Sequence, residues 1–564
     1  GRYVAYGVSQ GGSEMASIRI LDISAKKEFP EAIDRAEFGG VAWRPDNHSF
    51  FYNRLQNPDA KSSPEDKYRN SKMYLHTLGD SPEKDVAVFG AGISSAVAIQ
   101  PDDEPFVETQ PGSDWAIGVI EHGVQPEQTL YAAPLKTLAQ PNTPWIKICD
   151  VDAQVTDFTF AGNEIFLHTH KDAPRFKIIK TSLDHPDAAH YQTVVPQTPG
   201  VLKGMTIASD ALYVTELDDG VDHILRVPPG ASPQRIPLPF DGAADPAGTD
   251  PRMPGIVLEL TSWTKGLRFA EYDPQNDKVN PTNLRPPGPY DNLDDLISEE
   301  VEAKSYDDTP VPLSIIHKKG IKFDGSNPTI LYAYGAYGMT EDPGFGGTWL
   351  TWMQHGGIFA VAHVRGGGER GEEWHLSGYK LTKPNTWRDL IFCAQYLVDR
   401  KYTSPAKLGI MGGSAGGITI GRALTERPDL FAAAVPEVGC LNTLRAEFSP
   451  NGPPNIPEFG TVTTQEGFED LLAMDSYHHV HDGWKYPATL ITTGSNDPRV
   501  ASWIPAKFAA RLQAANASDK PILLRVDYQG GHGIGESKQQ AMEESADEFA
   551  FFMWQFGEPA FQPK

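Results

Sequence analysis

The stretch that most constrains this chain is Met411-Gly412-Gly413-Ser414-Ala415-Gly416-Gly417. It contains Gly-x-Ser-x-Gly between a short apolar run, Lys407-Leu408-Gly409-Ile410, and a segment, Ile418 to Glu426, that reads as a helix stopping before Pro428. Buried strand, sharp turn and helix form the setting in which such a serine presents its hydroxyl at the tip of the turn. The adjoining helix N-terminus favours negative charge developing there. A glycine-rich turn with an idle serine would read the same way, so the assignment depends on partners elsewhere in the chain.

Those partners follow in the order that an elbow hydrolase requires: serine, acid, histidine. Thr489 to Thr493 reads as a strand running into Gly494-Ser495-Asn496-Asp497. Ile522 to Val526 reads as another, followed by Gly530-Gly531-His532-Gly533. Both candidates lie just beyond the C-terminal end of a strand, where an open α/β sheet gathers its site. Alone, Asp497 would be a turn residue and His532 a surface histidine. Together with Ser414 they point to nucleophile, general base and orienting acid. The backbone N–H of Ala415 then becomes an oxyanion donor.

A chain of 564 residues is too long for one ordinary domain, and two large ones are expected. The formal charge of −25 argues against nucleic acid or an anionic membrane as partner. Three dispersed cysteines provide no disulfide framework. No apolar run reaches the length of a transmembrane helix. Gly1-Arg2-Tyr3-Val4-Ala5-Tyr6 reads as the middle of a strand segment, so the native N-terminus is expected to lie elsewhere. A cytoplasmic or a periplasmic compartment fits equally, and a monomer is expected.

Residues 1–285 carry short strands between polar turns. Val41-Ala42-Trp43 and Ser49-Phe50-Phe51-Tyr52 flank Arg44-Pro45-Asp46-Asn47, and Phe158-Thr159-Phe160 turns into Ile165-Phe166-Leu167. No helical periodicity intervenes, which indicates an all-β domain. The loose recurrence fits five or six propeller blades at about 40–50 residues each, although a sandwich has the same pattern. Arg285-Pro286-Pro287-Gly288-Pro289 reads as the linker. Residues 286–564 alternate strand and helix. Strands are expected over Val311–His317, Thr329–Tyr334 and Ile358–Val364, and helices over Trp387–Arg400, Trp503–Ala515 and Gln539–Phe556. Such alternation predicts a mostly parallel sheet with helices on both faces.

In this half, Lys318-Lys319-Gly320-Ile321-Lys322, Tyr332-Ala333-Tyr334-Gly335, Arg365-Gly366-Gly367-Gly368-Glu369 and the Ser414 motif, with Asp497-Pro498-Arg499-Val500 and His532, resemble the prolyl oligopeptidase family of serine peptidases. The resemblance implies an α/β-hydrolase catalytic domain capped by a propeller, seven-bladed when complete. It also implies that roughly the first hundred residues of a family member are absent from this chain. By resemblance, the enzyme hydrolyses internal bonds of short peptides through an acyl-enzyme, with post-proline cleavage in view. The propeller would act as a size filter, and no cofactor is needed. The Tyr334 hydroxyl would be the second oxyanion donor, Arg499 would bind a substrate carbonyl, and Tyr337, Cys440 and Val500 would line the specificity pocket.

The departure from the family lies at Asn455-Ile456-Pro457-Glu458, before Phe459-Gly460, where proline-preferring members carry a Trp. Asn455 and Ile456 are therefore the pocket candidates on that segment. Glu458 is the single nearby acid that could favour a basic substrate residue, or it caps a turn. Arg365 and Glu369 are read as an ion pair pinning their glycine-rich loop, which lacks the spacing of a phosphate-binding loop. His478 and His481 have metal-ligand spacing, but no carboxylate motif accompanies them and no metal is expected. An esterase using the same triad, or a non-catalytic propeller binding module, are the competing readings.

Overall fold

The computed structural model describes residues 1–564 other than 38–39, 58–62, 64–65, 141, 292, 535 and 564. Between Tyr3 and Pro281 the chain forms six antiparallel sheets in which strands adjacent in sequence are adjacent in space. The first has three strands and the others four. The turns are made by the residues that mark them. Asp46 Oδ1, for example, accepts from His48 N at 2.8 Å and Ser49 N at 2.9 Å and so closes the Val41–Trp43 to Ser49–Arg54 hairpin.

Successive sheets pack face to face, and five apolar clusters join them pairwise. Strand Trp115–His122 illustrates the principle. Its Ala116 and Ile120 pack toward the preceding sheet, while Ile117 and Val119 pack toward the following one. Side chains alternate along a strand, so a strand buried on both faces is apolar throughout. This stacking is that of a propeller rather than of a two-sheet sandwich. The expectation of seven blades is corrected: among the described residues, the strands between Tyr3 and Pro281 form six sheets.

The C-terminal half is one eight-stranded sheet. Its strands are β1 (Leu296–Lys304), β2 (Pro310–Lys318), β3 (Thr329–Tyr332), β4 (Ile358–Ala362), β5 (Leu408–Gly413), β6 (Ala433–Glu437), β7 (Ala488–Gly494) and β8 (Ile522–Asp527). They lie in the order β1-β2-β4-β3-β5-β6-β7-β8. β2 runs antiparallel to both neighbours, and from β4 onward every pairing is parallel. Helices α2 (Pro384–Asp399), α3 (Gly416–Glu426) and α4 (Trp503–Ala515) cover one face, where Trp387, Leu390, Ile420 and Phe508 meet Leu331 and Ile410. Helices α1 (Gly347–Gln354) and α5 (Lys538–Gln555) cover the other through Trp352, Phe549 and Phe552 against Ile330 and Met411. Each such side chain contributes about 1.5–3 kcal/mol on burial. Among the described residues no helix is long and apolar enough to cross a membrane.

The halves meet along several contacts. Val124 N donates to Pro454 O at 3.0 Å, and Glu372 N to Pro174 O at 2.8 Å. Lys203 Nζ lies 2.7 Å from Asp342 Oδ2.

Candidate active site

β5 ends in the elbow. Ser414 has φ +55°, a region that costs a non-glycine residue energy unless its surroundings hold it there. The holding bonds run to β6 and the loop beyond it: Ser414 N donates to Glu437 O, and Cys440 N to Ser414 O, both at 2.9 Å. Gly417 permits this close approach, because a Cβ there would lie 2.4 Å from Gly439 Cα. Ala415 is buried and opens α3, so its N–H belongs to the first turn, whose donors lack intrahelical acceptors.

Asp497 follows β7 and His532 follows β8. His532 Nδ1 and Asp497 Oδ2 are 2.7 Å apart, and the two side chains are 5% and 0% exposed. The second Asp497 oxygen accepts from Arg499 N and Val500 N, both at 2.9 Å. The carboxylate is thereby locked within its own turn. Ser414 and His532 face one cavity of about 360 Å³. Among the described residues no hydrogen bond joins them. Such bonds are often long before substrate binds.

Tyr334 lies beyond the end of β3, two residues past the observed strand. Burial pushes its phenol up to about 12, against a smaller opposing pull from Ser414, so at neutral pH it keeps its proton. A second cavity, of about 300 Å³, also opens at Ser414. Tyr337, Cys440, Val500, Asn455 and Ile456 all line it, as does Ala415. Tyr337 Oη donates to Asn455 Oδ1 at 2.7 Å. Burial raises the Cys440 thiol to about 12, which keeps it a neutral wall. Phe459 completes the pocket edge-on to Tyr337, with ring centroids 5.5 Å apart. In the sequence, the Phe459-Gly460 pair is the signal that marks this wall.

Arg499 borders both cavities. Its guanidinium is held by a propeller residue, Glu14, through Nε–Oε1 at 2.9 Å and Nη2–Oε2 at 2.7 Å. Neither Glu14 nor Val124, which reaches the second cavity from the propeller, was marked by any motif. The histidine loop also meets the propeller. A Cβ on Gly531 would lie 1.8 Å from Gly12 O, so this contact requires glycine.

Of three secondary readings, the expected Arg365–Glu369 ion pair is corrected, and Glu458 and the two histidines take other partners. Glu458 does not present a free carboxylate to the pocket. Its Oε1 accepts from Tyr337 N and its Oε2 pairs with His375 Nε2, each at 2.9 Å. Arg365 pairs not with Glu369 but with Asp389 at 2.6 Å and Asp307 at 2.7 Å, while Glu369 pairs with His363. His478 and His481 do not share a helical face, because His478 lies in a short 3₁₀ turn, Tyr477–His479. His478 bonds Asp475, while His481 packs at a tilt against Trp484.

An elbow serine facing a histidine–carboxylate pair, on a mostly parallel sheet beneath a propeller, defines a serine hydrolase of the α/β type. Residues 344–559 match the model of the prolyl oligopeptidase family, and residues 1–285 match that of the prolyl oligopeptidase N-terminal beta-propeller domain. The chain belongs to the prolyl oligopeptidase family and is a serine-type peptidase acting on peptides. It is 31% identical to a prolyl endopeptidase of Elizabethkingia meningoseptica over 99% of this chain and 77% of that relative. It is 28% identical to prolyl oligopeptidase A of Galerina marginata over 99% of this chain and 78% of that one. The solved structure of prolyl oligopeptidase B from the same fungus, bound to a 25mer macrocyclization substrate, superposes with a TM-score of 0.90 at 27% identity, covering 99% of this chain and 79% of that one.

Proposed function

We propose that the chain cleaves short peptides after proline, with residues 286–564 as the catalytic domain and residues 1–285 as the propeller that limits access. The observation that carries this reading is the meeting of two cavities at Ser414. One is largely apolar and walled by Tyr337 and Phe459, and the other is bordered by His532, which Asp497 backs from behind. A proline ring packs well on aromatic faces, and the Tyr337–Phe459 pair supplies them where the Trp is missing. The names of the relatives point to the same residue.

In the reaction, Ser414 Oγ attacks the carbonyl carbon of the proline residue while His532 Nε2 takes its proton. Asp497 keeps Nδ1–H in place and balances the imidazolium. Ala415 N–H and Tyr334 Oη–H donate to the developing oxyanion. His532 then protonates the leaving amine, and water releases the acyl group by the reverse sequence. Arg499 holds a carbonyl of the bound peptide. The same reading takes the chain as a monomer whose partners are short peptides.

The test is a matched set of short chromogenic substrates with Pro, Ala, Phe or Arg before the scissile amide, plus a short acyl ester. Preference for Pro is expected. Equal rates across the set, or ester cleavage alone, would overturn the reading. Ser414→Ala is expected to lower turnover by about 10⁴-fold or more with unchanged circular dichroism.

A further inference from the structure

The interface between the halves contains a cluster that peptide hydrolysis does not use. Glu127 lies on propeller strand Gln125–Pro134, and His170 directly follows strand Glu164–Thr169. Glu372 opens the short helix Glu372–Leu376 of the catalytic half. One ligand-capable atom from each of the three lies within 4.8 Å of the other two. His170 is buried, and its Nε2 is 2.9 Å from Glu127 Oε1. None of the three lines either cavity at Ser414.

The two carboxylates reach the cluster from opposite halves of the molecule, with the His170 ring against Glu127. A divalent cation would satisfy all three groups at once. One imidazole nitrogen with two carboxylate oxygens suits zinc and its first-row neighbours, whereas calcium and magnesium take all-oxygen shells. A second observation comes from His375, one helical turn after Glu372 and 3% exposed. Its Nε2 is fixed by Glu458. Its Nδ1 is buried without a hydrogen-bond partner and points at Glu372 Oε1 from 3.5 Å. An imidazole of this kind orients a ligating carboxylate from outside the metal's own shell.

We propose that Glu127, His170 and Glu372 bind a zinc-class divalent cation that ties the propeller to the catalytic domain. The site is independent of the chemistry at Ser414, and its ligands are too far apart in sequence for any spacing motif to mark them.

The full chain, stripped with a chelator, is titrated with zinc chloride by calorimetry and melted with and without zinc. One equivalent and a raised Tm are expected, with little competition from equal calcium. His170→Ala and Glu372→Gln should each weaken binding by at least about 10–100-fold, and Glu372→Gln should abolish the rise in Tm. Anomalous diffraction at the zinc edge should place the ion among the three side chains, which tests the site without any variant. Absence of binding, wild-type affinity in either variant, equal competition by calcium, or zinc found at His478 and His481 would each overturn the proposal.

Discussion

The left-handed Ser414 and the half-buried Tyr334 both border the point where an oxyanion would form. With its phenol held near 12, Tyr334 donates throughout the working pH range. Tyr334→Phe is expected to lower kcat by about 10²–10³ with a smaller change in KM, and an unchanged kcat would return the residue to packing. His375 makes a separate prediction. Burial alone would lower its pKa, but Glu372 and Glu458 raise it from 6.5 to about 9. A folded-state pKa above the unfolded one means stability that is complete below about pH 6.5 and lost as pH rises toward 9. Lys383, buried and pulled from 10.5 to about 8, has the opposite sign and is relieved above pH 8. Unfolding free energy should therefore fall most steeply between pH 6.5 and 8. Comparison with His375→Gln should isolate up to about 3 kcal/mol of that dependence, read from urea titrations across the range. A parallel pH profile in the variant would show that His375 carries none of it.

Among the elements, β5 matters most, because it carries the elbow between the two apolar layers. Phe552 of α5 packs directly on its glycine: a Cβ on Gly409 would lie 2.4 Å from the Phe552 ring. Phe552→Ala removes a fully buried ring and should cost about 3–5 kcal/mol in urea unfolding; a cost under about 1 kcal/mol would mean that the layer collapses around the gap. Element boundaries were less legible than element types. Helix α2 begins at Pro384, three residues before the expected Trp387. Pro384-Asn385-Thr386 is polar or helix-breaking by composition, yet proline is favoured in a first turn, where its missing N–H costs nothing. In the propeller, burial on both strand faces removed the alternation that separates a propeller from a sandwich.

For the whole molecule, the two halves are held partly by ion pairs reaching the surface. Arg499–Glu14 and Lys203–Asp342 are both partly exposed, and pairs of this kind contribute about 0–1 kcal/mol each. Salt screens them, with a Debye length near 10 Å at 0.1 M. Raising sodium chloride from about 0.05 to 0.5 M should therefore accelerate limited proteolysis near residues 285–289. A Glu14→Gln, Asp342→Asn double variant should be cleaved faster at low salt and respond little to added salt. A wild type indifferent to salt would mean that the backbone and glycine contacts alone hold the interface.

Sequence alone determined what depends on local order and spacing. The elbow glycines, the strand ends carrying Asp497 and His532, and the change from short strands to strand–helix alternation near residue 285 are written in neighbouring residues, where backbone sterics and periodicity act. Tertiary structure decided what depends on which distant groups meet. It closed the strands into six blades and put Glu14 on Arg499. It turned Glu458 toward His375 and gave Arg365 to Asp389 rather than Glu369. It also brought Glu127, His170 and Glu372 together from two halves of the chain. Each of these is a contact between side chains remote in sequence, selected because a buried charge or donor must find a partner, and no spacing along the chain encodes which partner the fold delivers.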